Sequence, residues 1–252
     1  MAQTHLEEIR QRQEAAGGLL TEKAAARVVE AQKISGIREG EAPNITARVD
    51  RVFATHKFSK NGREGTVRRV AVSDSSGTTT LVLWGIQGAL IEPFEKGDFV
   101  KLSGFTAKKT GQLELHSTNS SKISEAKGTR LLGLSPLPGK ETAIGELKEG
   151  EEADFFARIK QVGAKRAFEK NNSKGVVARC TAEDAAGAVV PLVLWDSNAD
   201  AADSLKEGTV IKVECGRPRL NNGILEVHVH ESGRIILKPR SAPQRLTRLA
   251  SA

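Results

Sequence analysis

Aromatic side chains are scarce in this sequence of 252 residues, which holds eight Phe, two Trp and no Tyr. Where they fall therefore carries weight. Trp84 and Trp195 each end a Leu-Val-Leu-Trp run, and Phe58 and Phe168 each stand in a polar stretch rich in Lys, Arg, Asn and Gly. Flat rings beside cations suit a ligand with flat faces of its own on a polyanionic backbone: rings stack on bases, and cations neutralise phosphates. The candidate stacking residues are Trp84, Trp195, Phe58 and Phe168. The candidate phosphate contacts are Lys57, Lys60, Arg63, Lys108 and Lys109 in the first half, and Lys165, Lys170, Lys174, Arg217 and Arg219 in the second. Each has a plainer reading. Along an extended strand Trp84 shares a face with Val82, and Trp195 with Val193, while Leu81/Leu83 and Leu192/Leu194 point the other way. Either face can fill a core, and a Trp in the core is packing rather than platform. Phe58 and Phe168 can anchor loops, and cations on a strand are more often solvated than functional.

Other chemistries find little support. Asp74 and Asp184 belong to Asp-x-x-Gly turns, where Asp caps its own backbone and Gly takes positive φ. No phosphate-binding loop of the P-loop or dinucleotide type occurs. Cys180 and Cys215 could ligate zinc with His228 and His230, but there is no CxxC, and buried inert thiols are the simpler expectation. The reading is a non-enzyme with no catalytic residues, no metal and no cofactor. Formal net charge is +7 with a pI near 9.5, which suits a polyanionic partner. No apolar run reaches the roughly 18 residues of a membrane span, and no hydrophobic signal region follows Met1. Two cysteines argue against a disulfide framework. The expected setting is the cytoplasm, without secretion and without membrane contact.

The positions that could bind are organised by an internal repeat. At an offset of 110, Val49 answers to Ile159, Phe58 to Phe168, Gly65 to Gly175, and Asp74-x-x-Gly77 to Asp184-x-x-Gly187. After one inserted residue Leu83-Trp84 answers to Leu194-Trp195. After another, Gly111-x-Leu113-Glu114-Leu115-His116 answers to Gly223-x-Leu225-Glu226-Val227-His228. Two copies of one domain follow. Within the first, Ile45–Phe53, Thr66–Val72, Thr78–Trp84, Phe99–Phe105 and the run from Leu113 read as five short strands. A helical piece falls between the third and fourth. That order predicts an OB-fold, a five-stranded Greek-key barrel, in which Phe58 and Phe168 lie in a groove loop.

The run Phe58-x-x-x-Gly62-x-x-Gly65, Val72-x-Asp74-x-x-Gly77, Leu81-Val82-Leu83-Trp84, Gly97-Asp98 and Leu113-Glu114-Leu115-His116 resembles the OB-folds of archaeal replication protein A. The resemblance covers roughly residues 37–124 and 147–237. It implies a mainly β chain of two tandem five-stranded OB-fold barrels after a short N-terminal helical hairpin, with single-stranded DNA as partner. It also favours Trp84 and Trp195 facing outward. One departure is that Leu113 and Leu225 stand where many such domains carry a second stacking aromatic on strand five. The expected division is a helical hairpin over 1–36, OB-fold 1 over 37–124, a linker over 125–146, OB-fold 2 over 147–237 and a basic disordered tail over 238–252. Residues 4–33 open with the capping box Thr4-x-x-Glu7 and suit either packing on the first barrel or self-association and protein partners. Residues 44–124 carry 12 basic and 7 acidic side chains, residues 152–237 carry 12 of each, so the first barrel is expected to bind anions more strongly. The leading expectation is a sequence-tolerant coat for single-stranded DNA in replication, repair and recombination. The rivals are an RNA-binding OB protein, separable through the 2′-hydroxyl, and an assembly adaptor using the hairpin and the second barrel.

Overall fold

The computed structural model describes residues 32–60, 62–128, 133–137, 140–170 and 173–248. The helical hairpin expected within residues 4–33 lies outside them but for its final two residues. From Gln32 onward the chain forms one compact unit that is mainly β, with two sheet domains resembling tandem OB-folds. The first holds β1 (Ile45–Val52), β2 (His56–Lys60), β3 (Arg63–Asp74), β4 (Gly77–Trp84), β5 (Phe99–Ser103), β6 (Thr106–Thr110), β7 (Gln112–His116) and β8 (Lys122–Glu125). Their order is β6-β7-β4-β3-β1-β5-β8, with β2 added on β3. The second holds β9 (Lys140–Glu141), β10 (Ala153–Val162), β11 (Arg166–Lys170), β12 (Ser173–Glu183), β13 (Val189–Trp195), β14 (Val210–Asn221), β15 (Ile224–Val229) and β16 (Arg234–Leu237). Its order is β11-β12-β13-β15-β14-β10-β9, with β16 on β14 and a further pairing of β10 with β12.

Two closed five-stranded barrels are thus not what forms. Each sheet has eight strands, and the first is open along its pairings between β5 and β6. Part of the surplus comes from the polar stretch after β1. Expected as a loop, it folds back as the hairpin β2–β3, with Phe58 opposite Gly65 and Lys60 opposite Arg63. Pairing satisfies backbone groups that a loop would leave to water. The counterpart β11–β12 pairs Phe168 with Gly175. Gly104, at φ +72°, turns the chain between β5 and β6, and a Cβ there would lie 2.4 Å from the Ser120 carbonyl oxygen. In the second domain Cys215 takes the same left-handed turn at φ 56°, yet β14 runs on through it and pairs with β10 at one end and β15 at the other.

Alternation fixes the cores. Leu81 and Leu83 of β4 are fully buried in the first apolar cluster with Val49, Val70 and Leu102. Leu192 and Leu194 of β13 enter the second with Ile159, Val213 and Val227. Neither Trp is part of a core cluster. The leucine face is the inner one, and this decides between the two readings of each Leu-Val-Leu-Trp run.

The domains meet through buried charge. The turn after Pro93 drives into the second sheet, where Lys96 pairs with Asp154, at 4% and 8% side-chain exposure. The Lys96 amide donates to Glu214 Oε1 at 3.1 Å, and Lys212 Nζ lies 3.3 Å from both Glu95 and Glu214. Arg234 donates to Glu214 at 2.8 Å and to the Phe94 carbonyl at 2.9 Å. Every charge there has a partner, as burial demands. Burial opposes ionisation of Glu214, but Arg234 and Lys212 hold its carboxyl below the ordinary value. Glu95 is lowered likewise, against burial, by Ser241 and Lys212. The segment expected as a disordered tail joins this cluster instead. The Arg240 amide donates to Glu95 Oε1 at 2.8 Å, Arg240 pairs with Asp98, and Ser241 bonds Glu95. A short helix, α1 (Gln244–Arg248), follows, and its Leu246 is buried against Phe156 and Val210. Charge and proline content suggested a solvated tail, but one leucine and three polar contacts tie it down. The linker also contributes structure, since β9 pairs in parallel with β10.

Candidate functional site

Each domain carries one aromatic cluster on the outer face of its sheet, built from the same repeat positions. In the first, the Phe58 ring lies directly over Gly65, where a Cβ would come within 2.6 Å of the ring. Only glycine leaves room for this approach. So seated, Phe58 meets Trp84 edge to face, centroids 5.9 Å apart at 88°, a favoured aromatic geometry. The Trp84 indole N–H donates to His116 Nδ1 at 3.2 Å, while His116 Nε2 lies 3.2 Å from Glu114 Oε2. With Nδ1 accepting, the proton sits on Nε2 and is donated to the carboxylate. Arg69 approaches the other carboxylate oxygen at 4.0 Å. One side chain thus orients the next, ending in an indole that is 41% exposed.

The second cluster repeats the arrangement. Phe168 covers Gly175 and meets Trp195 at 5.4 Å and 90°. The Trp195 N–H donates to His228 Nδ1 at 3.1 Å, Glu226 Oε2 is 3.6 Å from His228 Nε2, and Arg179 bonds Glu226 at 2.7 Å. A fourth ring is added, for His230 lies parallel to Trp195 at 5.4 Å and 9°. Trp195 is accordingly half-buried. Burial pushes the His228 and His230 pKa values down, with Arg219 acting in the same direction on both.

The predicted cations separate into two groups. Arg63, Lys108, Lys109 and Arg219 are exposed, and among the described residues none of their side chains enters an ion pair. Lys165 is held by Asp203 and Asp200 at 2.5 and 3.3 Å, Arg217 by Glu152 at 3.1 Å, and Lys174 approaches Glu169 at 3.8 Å. Lys57 reaches across from the first domain to Asp200 at 2.9 Å. Lys60 and Lys170 occupy the last positions of β2 and β11. The hairpin tips differ too. Where the first domain has Lys108 and Gln112, the second has Leu220 and Ile224, both exposed.

Sequence reasoning brought Phe and Trp together but missed the His and Glu behind them. The signal was present as Glu-x-His, repeated at Glu114/His116 and Glu226/His228, a spacing that puts both side chains on one strand face. The two cysteines lie elsewhere and are buried, their thiols pushed up to about 12 for Cys180 and about 11 for Cys215, chiefly by burial. Among the described residues no group of three His, Cys, Asp or Glu is arranged to hold a metal ion, and no helix is long and apolar enough to cross a membrane.

Two sheets of this topology, each carrying the same outward aromatic cluster, define a protein of two β domains resembling tandem OB-folds. No protein-family profile matches the chain. It is 27% identical over 206 residues to replication factor A of Methanothermobacter thermautotrophicus, an alignment covering 80% of this chain and 26% of that protein. The chain therefore spans about a quarter of that relative's length. Among solved structures, a replication protein A heterotrimer bound to ssDNA superposes with a TM-score of 0.63 at 15% identity, over 86% of this chain and 53% of that one. The chain is thus similar in sequence to an archaeal replication factor A and in fold to a solved replication protein A.

Proposed function

We propose that the chain binds single-stranded DNA with little sequence preference, coating exposed strands in replication, repair and recombination. Its setting on this reading is the cytoplasm. One observation carries it: the duplicated Phe–Trp–His–Glu cluster, which presents an oriented indole outward, with Arg63, Lys108, Lys109 and Arg219 exposed and outside any ion pair among the described residues. Trp84 and Trp195 are the stacking platforms, and Phe58 and Phe168 are their edge supports and secondary contacts. Lys108, Lys109, Arg63 and Arg219 meet phosphates directly. Lys57, Lys165, Lys174 and Arg217 do so after exchanging a carboxylate for a phosphate, at little cost for exposed pairs. Lys60 and Lys170, the last residues of β2 and β11, complete the set of proposed phosphate contacts. A stacked base contributes about 1–3 kcal/mol whatever its identity, which accounts for tolerance of sequence.

The test is intrinsic Trp fluorescence titrated with oligo-dT, oligo-U and duplex DNA at low and moderate salt. Quenching by oligo-dT that weakens with salt is expected. Equal quenching by oligo-U would make the chain a general single-strand binder, and no response to any of the three would sink the reading.

A further inference from the structure

Between the two platforms lies a cleft of about 720 Å³. One wall belongs to the first domain, with Phe53, His56 and Arg69, and the other to the second, with Val176, Trp195 and Asp200. Its width is set by the domain contact. Next to Phe53 the Ala54 amide donates to the Glu231 carbonyl at 2.9 Å, and Arg51 bonds Glu152 at 2.6 Å. Behind these stands the buried ionic cluster of Glu95, Lys96, Lys212, Glu214 and Arg234.

Phe53 is the unexpected member. Its counterpart at the repeat offset is Gly163, and the equivalence is structural. The Phe53 amide donates to the Arg69 carbonyl at 3.0 Å, as the Gly163 amide does to Arg179 at 2.8 Å. An aromatic ring therefore occurs at this position in the first copy, where the position borders the cleft, and is absent from the second, where it does not. It is half-buried, and the Arg51 guanidinium lies 5.8 Å from its centroid. The cleft also joins the two platforms. A shallow hollow over the first, bordered by Phe58, Gly65 and Ile86, shares Lys57 with the cleft. At the far end the cleft includes Gly175 and Trp195 of the second platform. Across its mouth Asp200 holds one lysine from each domain, Lys57 at 2.9 Å and Lys165 at 3.3 Å.

We propose that this cleft is a third nucleotide site, taking one base of a single strand between Phe53 and Trp195 as the strand passes from one platform to the other. The proposal rests on the single-strand reading above. In it Asp200 stands in for a phosphate: the arriving backbone displaces the carboxylate and takes over Lys57 and Lys165. Both lysine–aspartate pairs are solvent-exposed, so the exchange costs little. The site is built only when both domains are in place, which makes the pair of domains a single channel rather than two independent modules.

The experiment uses the full chain and labelled oligo-dT of about 4 and about 12 nucleotides, lengths chosen to fill one OB unit or to cross both. Fluorescence anisotropy gives the affinities. Phe53→Leu keeps apolar bulk and removes the π face. It is expected to leave the short strand unaffected and to weaken the long one by about 5- to 20-fold, the low part of the range for one lost stacking contact. Asp200→Asn is expected to tighten the long strand several-fold, because two lysines no longer need to be released. Wild-type affinity of Phe53→Leu for the long strand would overturn the cleft site while leaving the single-strand reading standing. So would equal losses at both lengths. If the unaltered chain binds neither strand, the reading beneath the proposal has failed and the proposal falls with it.

Discussion

The two sheet domains keep the same aromatic cluster but surround it with different electrostatics. In the first, Trp84 is 41% exposed, and Lys108 and Lys109 on β6 enter no ion pair among the described residues. In the second, Trp195 is flanked by His230, and Asp200, Asp203, Glu152 and Glu169 occupy the cations that would line a groove. A scaffold copied with its ring geometry intact can thus be retuned through surface side chains alone. What the duplicate retains is the part that needs precise placement, namely the glycine under the Phe, the edge-to-face contact and the His that fixes the indole. What it exchanges is charge, which acts through solvent over several ångströms and tolerates relocation.

The largest expected effect removes the frame that holds the two copies in register. Lys96→Met strands Asp154 as a buried, uncompensated carboxylate, and losing one partner of such a pair costs about 3–5 kcal/mol. Urea denaturation should show that loss. Next come the platforms. Trp84→Ala should weaken oligo-dT binding by about 1–3 kcal/mol with an unchanged circular dichroism spectrum, because this indole is outside the core. Trp195→Ala should cost less, since His230 and the paired carboxylates restrict access to it. Equal losses would remove the claimed difference between the domains. Smaller again is the salt effect. Replacing Lys108 and Lys109 by Ala should reduce the log–log salt slope of binding by about 1.4, at about 0.7 per phosphate contact. Replacing Lys165 and Lys174 should reduce it by less, because phosphate must first displace their carboxylates.

The mildest test is pH. Glu95 and Glu214 have folded values below the ordinary 4.5, so the folded state binds fewer protons than the unfolded one between those values. Their contribution is complete above about pH 4.5 and is lost as pH falls through the lowered values. Folded His228 and His230 lie below 6.5, so by the same linkage stability already declines as pH drops below that point. Protonation also turns His228 Nδ1 into a donor facing the indole N–H. Thermal melts between pH 7 and 3 should fall in two stages, and the first should vanish in a His228→Gln, His230→Gln variant.

Much of this was legible in the sequence. The offset of 110, with Phe, Gly, Asp and Trp recurring in order, gives the duplicated domain and the pairing of ring with ring. Which face of β4 turns inward was not, because Leu81 and Val82 are both apolar, and burial was decided by neighbours distant in sequence such as Val49 and Leu102. Nor was the state of the cations. Equal numbers of acids and bases in the second copy announce neutrality without saying that Asp200 and Asp203, in the turn after β13, are the residues that take Lys165. The five-strand expectation failed at the polar stretch from His56, which pairs instead of looping. The tail was misread because composition weighs Lys238, Arg240 and Arg245 but does not see Leu246 finding its pocket.

The contact between Glu95 and the residues at 240 and 241 spans about 145 positions. On the ribosome, the first sheet is complete long before those partners emerge, and it waits with a charged docking face turned to water. An apolar face in that position would invite association between nascent chains. A face of Glu95 and Lys96 stays hydrated until the second sheet arrives to exclude the water, so the ionic character of the joint protects the chain during synthesis as well as locking it afterwards.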